Sequence, residues 1–524
     1  MSATKSIVSG VTILSVTGII CKLIGVFFRV PLVWLIGEGS VGIYQLVFPT
    51  YTMLLTISSA GLPVAVSHMV SANLSRGDPV SAKRVFKLAL RLLAGMGIVL
   101  SVVMALMSGW LSESFVHDPE TLPGFIAIAP SVFIVCVLSA YRGFMQGQQD
   151  MMPTAVSQLI EQVLKVAFAL PLAYAGQKIS MAYAAAGALL GTSITEAAAL
   201  FYMMILYKKR NATYDKLPVA ETAKPQTDRS ILRQLASSAL PITLGASIVP
   251  LSGFVDSSMI MSRLAQAGIG TNAARELYGS YSGCVINLIN VPTALAIAIA
   301  MSLVPAISSA WAANDKKAVQ RQSMLGLRFS FLIGLPCSAG MSILAAPLLH
   351  FVFGRTLAPE NFNAAVDLLT VSALTIVLFT VVQATSGILQ GLKKQKIPLY
   401  TLAAGVAIKI ALNAILIPIP DMNIHGAPIA SIFCYAVSMV PNLIYVVKHT
   451  GMKFDYNRII IRPLAATLIM AAAVFALNRF LPDGSISLLI CVTFGIVVFA
   501  LSAFALKAVT KDDLRAFARR RRHA

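Results

Sequence analysis

The sequence predicts an all-α polytopic membrane protein. About fourteen transmembrane helices are expected, as two parallel six-helix bundles around a central cavity plus two C-terminal helices. Three observations predict it. The 524 residues are 57% hydrophobic and only 12% charged, against about 25% charged in soluble domains, and mean hydropathy is +0.79. Apolar stretches of about 20 residues, enough to cross a bilayer as a helix, recur with short polar breaks between them. Two short residue patterns also return in the same order in the second half.

The first window, 6–35, follows five leading residues and shows no small-residue cleavage pattern, so it reads as a membrane helix and not as a removable signal. It carries Lys22 near its middle and Arg29 toward its outer half. Windows 43–73 and 86–111 follow, the second helix carrying His68 near its end. Window 123–147 has Arg142 and Gln146 near its cytoplasmic end, 153–174 has Glu161 and Lys165, and 181–207 has Glu196 near the middle. The polar stretch "KKRNATYDKLPVAETAKPQTDRS" has two prolines and no apolar period, and reads as a cytoplasmic linker. Beyond it come 234–263 with Asp256, then 281–312, 325–350 with His350, and 364–392 with Gln390. Windows 397–418 with Lys409, 425–447, 459–478 and 485–506 complete the series. Prolines such as Pro31, Pro130, Pro292, Pro336 and Pro441 punctuate these helices as kinks that neighbouring helices satisfy.

This divides the chain into an N-terminal six-helix bundle (1–207), a linker (208–233), a C-terminal six-helix bundle (234–447), two additional helices (448–506) and a basic tail (507–524). An even number of crossings puts both termini on one side. Of the 41 Lys and Arg, only Lys178, Arg263, Arg275, Arg355 and Arg479 fall on the other face, with Lys22, Arg29, Lys165 and Lys409 inside windows. The bias makes the termini cytoplasmic. It also accounts for the net charge of +20 without nucleic acid, and the arginine-rich tail reads as solvated or bound to lipid headgroups.

The halves look duplicated. Gly143, Gln146, Gly147, Pro153 and Lys165 answer to Gly387, Gln390, Gly391, Pro398 and Lys409, and the interval from Gly147 to Lys165 equals that from Gly391 to Lys409. "LPVAVS" (62–67) resembles "VPAIS" (304–308), Asn73 has Asn314, and Arg84 and Arg91 match Arg321 and Arg328 in spacing. The last two helices have no counterpart.

A charge near the bilayer centre costs on the order of 2.5–3.5 kcal/mol on insertion scales, so each deep one asks for a reason. Glu161 and Lys165 lie one turn apart and can neutralise each other. Lys409 and Lys22 have no acid near on their own helices. Three cations at similar depth, drawn from both halves, point to a hydrated, cationic cavity and an anionic ligand. Arg142, with Gln146 and Gln390, would line a cytoplasmic entrance, or Arg142 would anchor a lipid phosphate. His68 and His350 read as interfacial residues without a role. Glu161, Glu196 and Asp256 are candidates for cavity or coupling acids. No phosphate-cradling Gly-Lys-Ser/Thr loop is present, so no ATPase is expected. The loop around "SESFVHDPETLPG" has no ligand spacing, and the six cysteines are scattered singly, so neither an enzyme site, a metal nor a disulfide is expected. Energy is expected from membrane potential, from an H+ or Na+ gradient, or from the substrate itself, with no cofactor.

"CKLIGVFFRVPLVWLIGEGSVGIYQLVFPTYTMLLTISSAGLPVAVSHMVS" (21–71) and "YRGFMQGQQDMMPTAVSQLIEQVLKV" (141–166) resemble the stage V sporulation protein B family. The second stretch carries that family's Arg-Gly-x-x-Gln-Gly, Pro and Ser-Gln-x-x-Glu-Gln pattern. The family belongs to the multidrug/oligosaccharidyl-lipid/polysaccharide exporter superfamily and is related to lipid II flippases. The resemblance implies alternating access and an undecaprenyl-pyrophosphate-linked saccharide carried from inner to outer leaflet for peptidoglycan, cell wall or spore cortex. It further implies a monomer in the bacterial cytoplasmic membrane, in contact with membrane lipids and cell-wall synthesis proteins. The flippase motif on the first helix is roughly Ser-Arg-x-x-Gly-x-x-Arg-Asp. Here Cys21-Lys22-x-x-Gly25 fits with Lys for Arg, while Arg29 comes one residue late and no Asp follows. Lys22, Arg29, Lys165 and Lys409 are thereby the candidate substrate-binding residues. A flippase for another polyprenyl-linked polysaccharide and a drug/cation antiporter of the same superfamily remain the alternatives; the antiporter would want a cavity dominated by acids.

Overall fold

The computed structural model describes residues 2–214, 227–482 and 484–509; the side chains of 2–12, 15, 19, 22, 26 and 211–214 also lie outside the description. The central part of the linker and most of the basic tail therefore lie outside the described residues. All regular structure among the described residues is helical. Among the described residues, thirteen helical stretches are long and apolar enough to cross a membrane.

The contacts divide the chain into two compact units, Met1–Gly279 and Ser280–Ala524. The first holds α1 (Ser2–Ser59), α2 (Leu62–Ser75), α3 (Pro79–Leu106), α4 (Ser108–Trp110), α5 (Leu122–Gly147), α6 (Met152–Gln177), α7 (Met181–Tyr214), α8 (Asp228–Ala246), α9 (Ile248–Gln266) and α10 (Thr271–Gly279). The second begins with a π-helical turn, Ser280–Val285. It continues through α11 (Ile286–Ala312), α12 (Lys316–Ile343), α13 (Ala345–Phe353), α14 (Pro359–Ser372), α15 (Leu374–Gly391), α16 (Lys396–Leu416), α17 (Gly426–Thr450), α18 (Arg462–Phe480) and α19 (Ser485–Ala505).

The stretch Val16–Ser75 is 60 residues of nearly continuous helix. A straight helix of that length would run about 90 Å, some three times the hydrocarbon core. It turns at Gly37 (φ 74, ψ 170), a conformation essentially restricted to glycine. The two predicted windows 6–35 and 43–73 are the two arms of this stretch, so the thirteen stretches accommodate all fourteen windows.

The duplication is visible in how helices touch. In the first unit α5 packs on α2, α3 and α7, and α6 packs on α7; in the second, α15 packs on α11, α12 and α17, and α16 on α17. Glycines set the register. A Cβ on Gly143 would lie 2.9 Å from Pro63 Cα, and one on Gly147 would lie 2.7 Å from Val70 Cβ and 2.9 Å from Ser67 O. In the second unit Gly387 meets Ala300, at 2.9 Å from its O, and Gly391 meets Ile307 Cβ at 2.8 Å and Val304 O at 3.1 Å. A Cβ on Gly97 would lie 3.0 Å from Phe133 Cα, and one on Gly334 would lie 2.9 Å from the equivalent Val377 Cα.

These contacts correct one detail of the sequence alignment. Pro63 answers to Ala300, not to Pro305, and Ser67 answers to Val304. Asn73 and Asn314 are likewise out of register. Asn314 (φ 54) corresponds to Gly77 (φ 73), each just before an aspartate that caps the next helix. Asp78 accepts from Ser81 N at 2.8 Å and Asp315 from Ala318 N at 2.9 Å. Backbone approach at small residues defines register here, whereas a proline can shift by a turn within a helix that its neighbours support. The arginine spacing keeps the register of the glycines. Arg91 is exposed on α3, while Arg328 on α12 is buried and donates to Ala508 O, through Nε at 2.8 Å. The difference follows from α18 and α19, which cover α12 and have no counterpart over α3.

Leucine at Gly147 is expected to force α5 off α2 and cost about 1–3 kcal/mol, the usual penalty for overpacking. Gly391→Leu should cost a similar amount, and thermal unfolding in detergent checks both. An unchanged midpoint for either would remove the glycine contacts as the determinant of register.

The helix predicted over 234–263 is α8 and α9, and by contact it lies with the first unit. Ala239 O abuts Gly61 where a Cβ would stand, Phe254 stacks on Phe115 at 4.5 Å, and Arg84 Nε meets Asp228 at 2.5 Å. The contact division thus falls at Gly279, beyond the linker. α10 is held there as well. Its Arg275 backbone lies against Gly42 and Gly279 against the Glu38 carbonyl. The Arg275 guanidinium grips Asp118 with Nη2–Oδ1 2.6 Å and Nε–Oδ2 2.7 Å. The side chains are 8% and 0% exposed.

Candidate functional site

Arg142, Glu161, Lys165 and Glu196 come together in the first unit. Arg142 is near the C-terminal end of α5, where Gly143 brings α5 against α2, and Glu161 and Lys165 are on α6. Arg142 Nη2 donates to Glu161 Oε1 at 2.8 Å, and Arg142 Nε donates to Ser157 Oγ at 2.9 Å. Ser157 in turn donates to Thr154 O at 2.8 Å. The two ionic side chains are 14% and 17% exposed.

The partner of Glu161 is thus Arg142, on another helix, and the intrahelical pairing with Lys165 is not the bond formed. Nor is Arg142 splayed toward lipid phosphate as an anchor, since two of its donors are taken up inside the unit. Lys165 instead places Nζ 5.1 Å from the Phe28 ring centroid and 5.4 Å from that of Phe48. The faces of aromatic rings attract a cation, so the two rings favour this position of the ammonium.

Glu196, buried on α7, accepts from Tyr51 Oη at 2.5 Å. Tyr51 ends a row of rings on α1, with Tyr44 stacked on Phe48 at 5.3 Å and Phe48 tilted against Tyr51 at 5.7 Å. Ser131 and Ser193 are hydrogen-bonded to each other at 3.0 Å between α5 and α7. Glu196 lies within electrostatic range of both Glu161 and Lys165.

The first-helix motif points at the same place. Cys21 is within electrostatic range of Glu161 and Arg142, and a Cβ on Gly25 would lie 3.6 Å from Gln162 Oε1. The side chain of Lys22, next to Cys21, lies outside the described residues. Arg29 is half-buried on α1 and Asp256 half-buried on α9. Gln146 donates to Thr154 Oγ1 at 3.4 Å. In the second unit Lys409 is half-buried on α16 and Gln390 is exposed at the end of α15.

The register of the duplication extends through this site. Gln149 (φ 61) and Lys393 (φ 59) make the same left-handed turn, and α6 and α16 start at equivalent residues, Met152 and Lys396. Pro153 and Pro398 sit one residue apart in that register. Lys165 then answers to Lys409, Arg142 to Ser386 and Glu161 to Gly405. Gly405 lies against the Cys434 carbonyl and 2.5 Å, from where a Cβ would stand, to Ser438 Oγ. The lysine is kept in both copies, while the Arg–Glu pair belongs to the first alone.

Sequence reasoning named Arg142, Glu161, Lys165 and Glu196 but missed Tyr51, Phe28 and Phe48. No local pattern marks them, because they come from α1, more than a hundred residues earlier. It missed the Asp118–Arg275 pair for the same reason. Among the described residues no cluster of three His, Cys, Asp or Glu could hold a metal ion, and all six cysteines are free thiols.

The family model described as polysaccharide biosynthesis protein matches residues 7–311, and a MatE model matches 280–415, starting where the second unit starts. The chain is 27% identical over 428 residues to stage V sporulation protein B of Bacillus subtilis (strain 168), covering 82% of this chain and 81% of the relative. It is 24% identical over 488 residues to the lipid II flippase MurJ of the same organism, covering 89% and 87%. Among solved structures, lipid II flippase MurJ in an inward closed conformation superposes with a TM-score of 0.72 at 12% identity, over 93% of this chain and 97% of that one. An inward-facing multidrug resistance MATE family transporter of the MOP superfamily gives 0.69 at 16% identity, over 84% and 98%. These structural likenesses bear out the polytopic all-α transporter fold, and the stage V sporulation protein B match bears out the sequence resemblance.

Proposed function

The chain belongs to the polysaccharide biosynthesis protein family, and from that premise we propose that it is an alternating-access flippase for an undecaprenyl-pyrophosphate-linked saccharide. The cargo moves from the inner to the outer leaflet of the bacterial cytoplasmic membrane, for peptidoglycan synthesis in cell wall or spore cortex. Membrane potential or an H+ or Na+ gradient supplies the energy, with no cofactor. One observation carries the reading. Lys165 stands deep in the membrane-spanning part of α6, over two aromatic rings, while the nearby acid bonds Arg142 instead. Lys409 is the lysine at the equivalent position of α16 in the second unit. A pyrophosphate cannot cross hydrocarbon unaided, and a deep cation in each half lowers the barrier it meets. An exporter of cationic drugs would gain nothing from either lysine.

The test is reconstitution. Purified protein in vesicles, given a fluorescent undecaprenyl-pyrophosphate saccharide on one leaflet, should expose it to the other leaflet faster than empty vesicles do. Equal rates would end the proposal. Depletion in the host should likewise leave the lipid-linked precursor on the cytoplasmic leaflet.

Direction depends on orientation, and both termini and the 208–230 linker are proposed to be cytoplasmic. A cysteine replacing Thr222 should resist a membrane-impermeant thiol reagent in intact cells, and one replacing Ser485 should react. The reverse labelling would invert the direction of transport.

A further inference from the structure

We propose that Glu161 is an internal stand-in for the anionic headgroup: it occupies Arg142 while the site is empty, and a phosphate or pyrophosphate displaces it to take the guanidinium. The inference rests on the flippase reading and assigns Arg142 a role in that site, as an oriented phosphate fork held in reserve.

Four observations carry it. Arg142 is fixed by two different edges. Nε is tied to Ser157 Oγ at 2.9 Å, which is itself locked onto Thr154 O. Nη2 reaches Glu161 at 2.8 Å. With the acid removed, the Nε–Ser157 bond still holds one edge of the guanidinium while the other is freed, and planar Arg suits the bidentate recognition of phosphate.

Second, the pair is accessible. Side chains 14% and 17% exposed are neither sealed in a core nor open to bulk solvent, so each keeps a small surface at which a headgroup can meet it.

Third, the displaced acid has somewhere to go. Lys165 is one turn further along the same helix, the spacing at which opposite charges meet. Its ammonium rests on the Phe28 and Phe48 rings in this state. A carboxylate that left Arg142 would not be stranded, since a rotamer change brings it toward Lys165.

Fourth, the duplication shows that the pair is not a brace the fold requires. The second unit packs the equivalent helices α15, α16 and α17 together with Ser386 and Gly405 in place of Arg142 and Glu161. Both members are missing from that copy, whereas the lysine is present in each. An exchange device needs both members or neither; a cation for the cargo needs only itself. Guarding Arg142 with an acid also suits a transporter that must release its cargo, because the returning carboxylate competes for the cation at the end of the cycle.

The experiment uses the purified full-length protein in lipid nanodiscs, titrated calorimetrically with inorganic pyrophosphate and, separately, with undecaprenyl pyrophosphate. Glu161→Gln keeps the shape and removes the competing charge. It should bind at least one of these anions about tenfold more tightly than the wild type, a gain on the scale of one charge-assisted hydrogen bond. In Glu161→Gln/Arg142→Gln the gain should vanish, and the neutral pair, free of a stranded charge, keeps the chain folded for the comparison. A gain with inorganic pyrophosphate identifies the headgroup alone as the competitor; one confined to undecaprenyl pyrophosphate shows that the lipid is needed to deliver it. The idea is overturned if Glu161→Gln binds neither anion more tightly. It is also overturned if the tightening survives the loss of Arg142, which would make it a general effect of net charge. Wild-type binding that Glu161→Gln leaves unchanged would end the exchange and leave the flippase reading standing. No binding by either protein would end both.

Discussion

Replacing Arg275 by alanine is expected to destabilise the protein by about 3–5 kcal/mol, the cost of leaving one charge of a buried pair uncompensated. Asp118 is fully buried and takes two bonds from the guanidinium, at 2.6 and 2.7 Å. Its own Oδ1 also accepts from Glu120 N at 3.2 Å, and its backbone N donates to Ser112 O at 2.8 Å. The pair thus ties α10 to the loop that leads into α5. Arg275→Lys should recover only part of the loss, because an ammonium cannot reproduce the two-pronged contact. The double change Asp118→Asn/Arg275→Gln removes both charges and should be less damaging than Arg275→Ala alone. Thermal unfolding of the purified protein in detergent measures all three. An Arg275→Ala midpoint within a degree or two of wild type would show that the pair contributes nothing.

Lys165→Ala should abolish transport, or at least reduce it by about 30-fold or more, the scale of losing a desolvated charge contact of roughly 2–5 kcal/mol. The protein should still reach the membrane. Lys165→Arg should retain more activity than Lys165→Met, since charge matters more here than chain shape. The structure sharpens the control. Because Glu161 is bonded to Arg142, removing Lys165 does not strand the acid, so adding Glu161→Ala should not rescue Lys165→Ala. A fully active double mutant would take Lys165 out of the substrate site and return it to charge balance. The same series at Lys409 tests the second unit, where the position of Glu161 is held by Gly405.

What the sequence made legible follows from what is local. Apolar stretches of bilayer length located the helices, but nothing in the sequence singled out Gly37, among Gly37, Gly39 and Gly42, as the residue where the chain turns. The interval between Gly147 and Lys165, repeated between Gly391 and Lys409, revealed the duplication and the deep lysines together. Pairing was not legible. The choice of Glu161 between Lys165, four residues away, and Arg142, on another helix, depends on how α5 and α6 rotate against each other. Nothing in a linear spacing records that rotation. The proline match at Pro305 misled for a related reason: it is a similarity of composition, whereas register is set by where backbones touch. Asp118 and Arg275 are 157 residues apart, and each alone looks like an ordinary loop charge.

Gly405 has a consequence for how the two halves of this chain can evolve. With glycine opposite the Cys434 carbonyl, α16 and α17 pack at a distance at which no side chain fits. Placing an acid there would require the two helices to part first, so a single substitution is barred even if selection favoured it. The first copy has no such obstruction at Glu161. The difference is therefore entrenched in one direction: the first half can lose its Arg–Glu pair in two steps, but the second cannot gain one without repacking. Among descendants of such a duplication, acids at the first position should come and go, while the second stays small.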